Sequence, residues 1–334
     1  MRVGIAGYGL AGRSFHGPLL KGCGFEVSAI LTANSTRARQ AKDDFPAVKI
    51  VEDFASLLQQ KLDLVVVATV NKVHAEQALA AIAAGIPVVI DKPAARTASE
   101  TQEIFTASER KGVPITVFYN RLWDSDALTI KKVISQGLIG KPFRLDSRFE
   151  RFRPQLNPSS WRENESAENG GGLLLDLQTH LLSTALDWFG PAELTSAQIR
   201  HIRGESEDDV VLTLRHGSGV DSYLSASAIV GSPGPRIRLL GTEGALVIED
   251  LDPQEALLRA GNFPEGGTWS VPTASRAFIY RGDSREEIPG VPGNYATFYL
   301  AVKSALSEGT PMPILQESVM AVASIIDKAR EISA

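Results

Sequence analysis

Three residues in this 334-residue chain have types and settings suited to handling protons and charge: Lys92, Asp176 and His180. Lys92 follows the aliphatic run Pro87-Val88-Val89-Ile90-Asp91 and precedes Pro93, so it emerges abruptly from a stretch with the character of a buried strand. An ammonium there is costly to bury without a partner. Beside a reacting hydroxyl or carbonyl it can donate to the oxygen and stabilise developing negative charge. Pro93 fixes the backbone just beyond it. Asp176 and His180 close the run Gly170-Gly171-Gly172-Leu173-Leu174-Leu175-Asp176-Leu177-Gln178-Thr179-His180. Four residues apart on a helix, they share one face. An imidazole with an unperturbed pKa of about 6.5 can take or give a proton near neutral pH. With a carboxylate beside it and a flexible glycine run before it, the pair suits binding a polyhydroxylated molecule and moving its proton. Alone, the lysine reads equally as a solvated strand end, and the pair as support for its helix. Together they form a candidate catalytic set.

Gly7-Tyr8-Gly9-Leu10-Ala11-Gly12 supplies what that set would act with. It follows the aliphatic run Arg2–Ala6 and opens a helical pattern, the context in which GxGxxG cradles a dinucleotide pyrophosphate. The helix N-terminus then offers free N–H groups to the anion, so Gly7, Gly9, Leu10, Ala11 and Gly12 are cofactor-binding candidates. An NAD site carries an acid ~20 residues further on to bond the ribose hydroxyl. Here the second strand ends in Leu31-Thr32-Ala33-Asn34-Ser35-Thr36-Arg37, without a carboxylate. Thr32, Ser35, Thr36 and Arg37 suit a 2′-phosphate by hydrogen bonding and charge, so NADP is the preferred cofactor and NAD the alternative. The plainer reading is that Ser35 caps the next helix and Arg37 is solvated.

These residues need a frame. In the first third, aliphatic runs begin near residues 2, 26, 49, 63, 87 and 114, separated by helical patterns such as His74 to Gly85. That alternation is the signature of a parallel sheet built from βαβ units. It predicts a Rossmann dinucleotide-binding domain over 1–120. After Tyr119 the spacing predicts helices over Asp124 to Gln136 and Leu173 to Phe189, and a strand over Phe143 to Phe152. Alternating runs follow from Pro191 to Asp250, and two closing helices lie near Asn294 to Ser307 and Gln316 to Ser333. The fold class is therefore α/β: a Rossmann domain followed, over 121–334, by an α+β domain with a large, mostly antiparallel sheet.

Composition narrows the partners. A net charge of -5 lacks the basic surplus that nucleic acid or an anionic membrane would call for. No run approaches the ~18 apolar residues of a membrane helix, and the start lacks the apolar core of a signal peptide. A single cysteine, Cys23 in a turn-like Lys-Gly-Cys-Gly, reads as structural and points to a reducing, cytoplasmic setting. The histidines at 16, 74, 180, 201 and 216 show no zinc spacing, so no metal is expected. His201 and His216 read as structural. His16, just after the glycine loop, reads either as approaching the phosphates or as lying on a helix surface.

Taken together, these motifs resemble the Gfo/Idh/MocA family of oxidoreductases. The resemblance covers essentially the whole chain and rests on Gly7 to Gly12, Asp91-Lys92-Pro93 and Gly170 through His180. Phe15 to Leu20, Asn120 to Asp126, Arg151 to Pro154, Trp161 to Glu163 and Pro292 to Tyr295 are similar to the branch containing NADP-dependent scyllo-inositol dehydrogenases. The resemblance implies an active-site Lys92, with Asp91, Thr69, Asn71 and His74 toward the cofactor. It also implies Asn120, Arg121 and Arg162 as pocket contacts, and a homodimer or homotetramer built through the face of the second sheet. The expected reaction interconverts a secondary alcohol and a ketone on a cyclic polyol or sugar, an inositol among them. The alternatives are a dinucleotide- or sugar-sensing protein on the same fold, against which retention of Lys92, Asp176 and His180 argues, or a sugar 1-dehydrogenase. Asp91 replaces the family's usual Glu, and Val70 its Pro. Leu122 and Ser183 stand where relatives often carry a charge, which leaves the substrate open.

Overall fold

Aliphatic runs in the first third form one six-stranded sheet in the computed structural model, which describes residues 1–333. The strands are β1 (Arg2–Ala6), β2 (Glu26–Leu31), β3 (Lys49–Val51), β4 (Leu64–Val67), β5 (Val88–Asp91) and β6 (Ile115–Phe118). All pairings are parallel and the order is β3-β2-β1-β4-β5-β6. Every residue of β4, β5 and β6 is buried, as expected of strands covered on both faces. Each buried Val or Ile contributes about 1.5–3 kcal/mol of transfer free energy. The order reverses between β1 and β4, so a crevice opens at the carboxyl ends of those strands. β1 and β5 flank β4, which sets the glycine loop and Lys92 on one sheet edge, roughly 10 Å apart at the usual strand spacing.

The second sheet has eight strands: β7 (Pro142–Glu150), β8 (Ala192–Arg200), β9 (Asp209–His216), β10 (Asp221–Ser227), β11 (Ile237–Gly241), β12 (Gly244–Ile248), β13 (Ala277–Arg281) and β14 (Ser284–Ile288). Its order is β14-β13-β12-β11-β7-β10-β9-β8, antiparallel except for the β7–β10 pair. Alternation decides its faces. Leu145, Leu212, Leu214 and Leu224 are fully buried beneath the helices Ser125–Ser135, Thr179–Phe189 and Gln316–Ser333. The opposite face carries Arg144, Asp146, Arg148 and Tyr223, with Arg144 Nε donating to Asp146 at 2.9 Å and its guanidinium 4.7 Å from the Tyr223 ring centre.

Two local expectations are corrected. The helix predicted from Leu173 is regular only over Thr179–Phe189, and Leu174–Gln178 form a wider, π-helical turn. There the Gln178 amide donates to the carbonyls of Val210 and Leu224, both at 3.0 Å, a tertiary anchorage that no local pattern encodes. The glycine run is packed instead of flexible. Gly172 has φ +86°, and a Cβ there would overlap the Glu207 carboxylate. Gly170 likewise accepts a hydrogen bond from Asn71 Nδ2 at 2.8 Å, so the run is tied to the first sheet's loops.

The closing helices, Ala296–Glu308 and Gln316–Ser333, pack on both units. Tyr299 stands 5.8 Å from Phe118 at the end of β6, and Arg330 donates to the Arg96 carbonyl at 2.9 Å. Among the described residues no helix is long and apolar enough to cross a membrane, and no three potential ligand groups converge to hold a metal.

Candidate active site

A cleft of about 930 Å³ is lined by residues of both units. Lys92 reaches it from the end of β5, while Asp176 and His180 reach it from the π-helical turn and the helix after it. Lys92 Nζ donates to Asp176 Oδ1 and to the Asp176 carbonyl oxygen, each at 2.7 Å. Arg162 Nε donates to the same Oδ1 at 3.2 Å, and its guanidinium stacks on Trp161. Burial opposes charge on Asp176, but Lys92 and Arg162 outweigh it and hold the carboxyl below the usual carboxylate range. His180 moves the other way for an imidazole: burial, then the nearby charges of Lys92 and Arg121, keep its pKa well below the ordinary value. It is therefore neutral near neutral pH, the form that accepts a proton. Its Nδ1 is buried without a partner, which leaves Nε2 to face the cleft.

The glycine loop after β1 has the tight, side-chain-free turn that a dinucleotide pyrophosphate requires. Gly7 adopts φ +94°, and a Cβ at Gly12 would overlap the Gly7 carbonyl oxygen, so the turn and the first helical turn close on each other without side chains. A Cβ at Gly9 would lie 3.8 Å from the Arg37 guanidinium, so that exposed cation overhangs the loop. Leu10 and Ala11 line the cleft near Asp91 and Lys92. Helix Ser35–Asp44 is capped by Asn34, whose Oδ1 accepts from Arg37 N at 3.0 Å. Ser35 is thus not the cap, and its exposed hydroxyl stays available beside Thr36 and Arg37, while Thr32 is buried and accepts from Asn34 N. These residues fit a dinucleotide carrying either a hydroxyl or a phosphate at the adenosine ribose.

The other expected contacts divide between the cleft lining and packed positions beside it. Asn71 is buried and spends its amide on Gly170, away from the cleft. His74 is 1% exposed, with Nδ1 2.9 Å from the Pro93 carbonyl and Nε2 3.3 Å from the Thr69 carbonyl. Burial lowers its pKa, so as a neutral ring it has one N–H to donate, to one of these two carbonyls, beside the cis Lys92–Pro93 bond. Thr69 Oγ1 donates to Gln77. His16 does not lie on the helix surface. It is fully buried, 2.6 Å from Tyr299 Oη through Nδ1 and 3.8 Å from Asp91 through Nε2. Asp91 receives the Lys92 amide at 2.9 Å and lines the cleft. Asn120 and Arg121 also line it, but Arg121 is committed to Asp124 at 3.0 Å and Glu255 at 2.7 Å. Ser183 Oγ donates to the His180 carbonyl, so it serves the helix. Cys23 is buried with its thiol pushed up to about 12 by desolvation, in keeping with a structural residue.

The cleft also contains side chains that motif reasoning passed over. Phe149 lies between the guanidinium groups of Arg121 and Arg236, at 5.1 and 3.9 Å from its ring centre, and 6.1 Å from the His180 ring. Strand alternation in β7 was the available signal, because Phe149 and Arg151 fall on the same face as Leu145.

Comparison with known proteins agrees with this architecture. The family described as "Oxidoreductase family, NAD-binding Rossmann fold" matches residues 1–119, and the GFO/IDH/MocA C-terminal domain matches residues 127–247. The chain is 34% identical to scyllo-inositol 2-dehydrogenase (NADP(+)) IolW of Bacillus subtilis, over 100% of this chain and 94% of that protein. It is 33% identical to the uncharacterised oxidoreductase YdgJ of Escherichia coli, over 98% of this chain and 94% of that one. The solved structure of the oxidoreductase yvaA of Bacillus subtilis superposes with a TM-score of 0.89 at 35% identity, covering 99% of this chain and 95% of that one. With both units matched and full-length relatives above 30% identity, the chain belongs to the GFO/IDH/MocA family of oxidoreductases.

Proposed function

We propose that this oxidoreductase interconverts a secondary alcohol and a ketone on a cyclic polyol or sugar, an inositol among the candidates, with NADP as its preferred cofactor. The observation that carries the reading is the Lys92–Asp176 ion pair at 2.7 Å, set beside neutral His180 in a cleft continuous with the glycine loop. A relative's action on scyllo-inositol with NADP supports the same choice. So does Arg37 above Gly9, where the second strand ends without an acid.

When bound, the nicotinamide supplies or accepts hydride. The chain's own residues handle the proton and the charge. In the oxidative direction His180 takes the hydroxyl proton at Nε2. Lys92 gives two of its three N–H groups to Asp176 and keeps the third for the substrate oxygen, whose negative charge it stabilises as the proton leaves. Asp176 holds Lys92 in place through Oδ1, and its Oδ2, without a partner among the described residues, receives an adjacent substrate hydroxyl. In the reductive direction the same groups run in reverse, and His180 must first acquire a proton.

The reading includes a homo-oligomer assembled on the open face of the second sheet, where exposed Tyr223 stands among paired charges. Light scattering that returned a monomer would remove that part alone. The activity itself is tested by incubating the protein with NADP⁺ or NAD⁺ and a panel of inositols, aldoses and sugar alcohols. The reverse assay uses the reduced cofactors with inososes and ketoses, and the absorbance of reduced nicotinamide reports turnover. Saturable cofactor binding without turnover of any member would overturn the assignment.

A further inference from the structure

The cleft carries arginines that the alcohol–ketone chemistry does not use. Six arginines of the cleft each have a carboxylate close by: Arg121 with Asp124 at 3.0 Å, Arg148 with Glu150 at 3.8 Å, Arg162 with Asp176 at 3.2 Å, Arg203 with Asp208 at 3.0 Å, Arg236 with Asp126 at 3.4 Å and Arg259 with Glu255 at 2.8 Å. Arg151 and Arg153 line the same cleft, and neither side chain has a carboxylate or hydrogen-bond partner among the described residues.

Their backbone is pinned. Arg151 N donates to the Ser227 carbonyl at 3.0 Å, Val230 N donates to the Arg151 carbonyl at 3.0 Å, and Arg153 N donates to the Ala228 carbonyl at 2.6 Å. Phe152 bridges to Ile229 in that short antiparallel pairing. In an extended segment residues 151 and 153 point to one face and 152 to the other. The lining agrees, since it includes Arg151 and Arg153 and omits Phe152. Two guanidinium groups are thus held side by side, facing the cavity. Arg151 is half-buried, and burial followed by the repulsion of Arg153 lowers its pKa below the ordinary arginine value. Asp176, Glu163 and Glu255 offset this only at a distance, so a ligand that brings a negative charge into contact with the partly desolvated cation is favoured.

We infer that the substrate carries an anionic substituent, a carboxylate or a phosphate ester on the polyol or sugar, which Arg151 and Arg153 bind while the reacting hydroxyl lies at Lys92 and His180. This rests on the alcohol–ketone reading above and adds the substrate's charge class. Guanidinium binds either anion in a forked, two-bond geometry, so the two sources share one chemistry.

The test compares D-glucose with D-glucuronate, and myo-inositol with a myo-inositol monophosphate, using the full-length protein and NADP⁺. It runs on wild type, Arg151→Gln, Arg151→Lys and Arg153→Gln. Calorimetric titration of each ligand into the NADPH-bound protein runs alongside, and thermal denaturation confirms that the variants are folded. At least one anionic member is expected to exceed its neutral parent in kcat/KM by ~10-fold or more, and Arg151→Gln to lower that preference by ~10- to 100-fold, the usual range for charge-assisted hydrogen bonds. Arg151→Lys is expected to retain part of it, and the more exposed Arg153 to matter less. The carboxylate and phosphate arms show which anion fits. Neutral parents turned over as well as or better than both anions, or an Arg151→Gln effect equal on both classes, would overturn the inference and leave the alcohol–ketone reading intact. Absence of turnover for every member would sink that reading by itself. The inference would then rest on calorimetry, where no preference of wild type for D-glucuronate or the monophosphate over its neutral parent would overturn it.

Discussion

Replacing Lys92 with Met tests the core of the mechanism, because the side chain keeps its length and loses only its charge and donors. Lys92 Nζ makes two hydrogen bonds of 2.7 Å, both to Asp176, so one N–H remains for the substrate. That remaining donor acts on an oxygen whose charge grows in the transition state. Removing one such donor typically costs ~10²–10³ in kcat, or about 2.7–4 kcal/mol. KM should move far less, since the lost bond strengthens as charge develops. The change also takes one of two cations from Asp176, whose side chain is 16% exposed. Arg162 remains at 3.2 Å, so the stability loss should fall short of the ~3–5 kcal/mol seen when a buried charge loses its sole partner. The assay is steady-state turnover of the best panel substrate, followed through reduced nicotinamide, with thermal denaturation alongside. A folded variant whose kcat falls by less than about threefold, well under 1 kcal/mol of barrier, would refute the role given to Lys92.

Further outcomes follow from the same geometry. His180→Asn should lower kcat/KM in the oxidative direction by ~10²–10⁴, the usual contribution of a general base. In the wild type the acid limb of kcat/KM should lie below the ordinary imidazole range near 6.5, because burial, Lys92 and Arg121 keep His180 neutral; a limb above that value would contradict the electrostatics. Buried His74, His180 and His216 all have folded pKa values lowered by burial. The unfolded chain therefore binds more protons below about pH 6.5, so stability is full above that pH and is lost as pH falls through the folded values, which thermal melts across pH should show. Arg37→Ala should reduce the NADP-to-NAD preference in kcat/KM by ~10-fold or more, on the scale of one charge-assisted contact, and an unchanged ratio would remove Arg37 from cofactor selection. Gly172→Ala should destabilise the protein by more than about 1 kcal/mol, since the residue needs φ +86° and its Cβ would meet Glu207; an unshifted melting curve would contradict that packing.

Much of the frame is local information. The alternation of Val-rich runs with Ala- and Gln-rich helical stretches determined six parallel strands, because a parallel sheet buried on both faces leaves its strands uniformly aliphatic. The glycine spacing in Gly7 to Gly12 is likewise a local requirement, for only glycine fits a tight turn with a helix start pressed against it. Lys92, Asp176 and His180 could be named from type and spacing, but their assembly could not. The lysine and the aspartate are 84 positions apart, and their 2.7 Å bond exists because β5 and the π-helical turn open into one cleft.

Tertiary structure alone decided which neighbours each polar group meets. Asn71 and His74 have the composition of cofactor contacts, yet Gly170 and the carbonyls of Pro93 and Thr69 claim them, since buried polar atoms must be satisfied by whatever packs against them. The three glycines read locally as slack, and become rigid because Glu207, from the loop between β8 and β9, fills the space beside Gly172. Arg121 and Arg151 look alike in sequence. One is neutralised by Asp124 and Glu255, and the other is left facing the cleft with no carboxylate in contact, because the balance of charge at a point depends on chain segments distant in sequence that folding brings together.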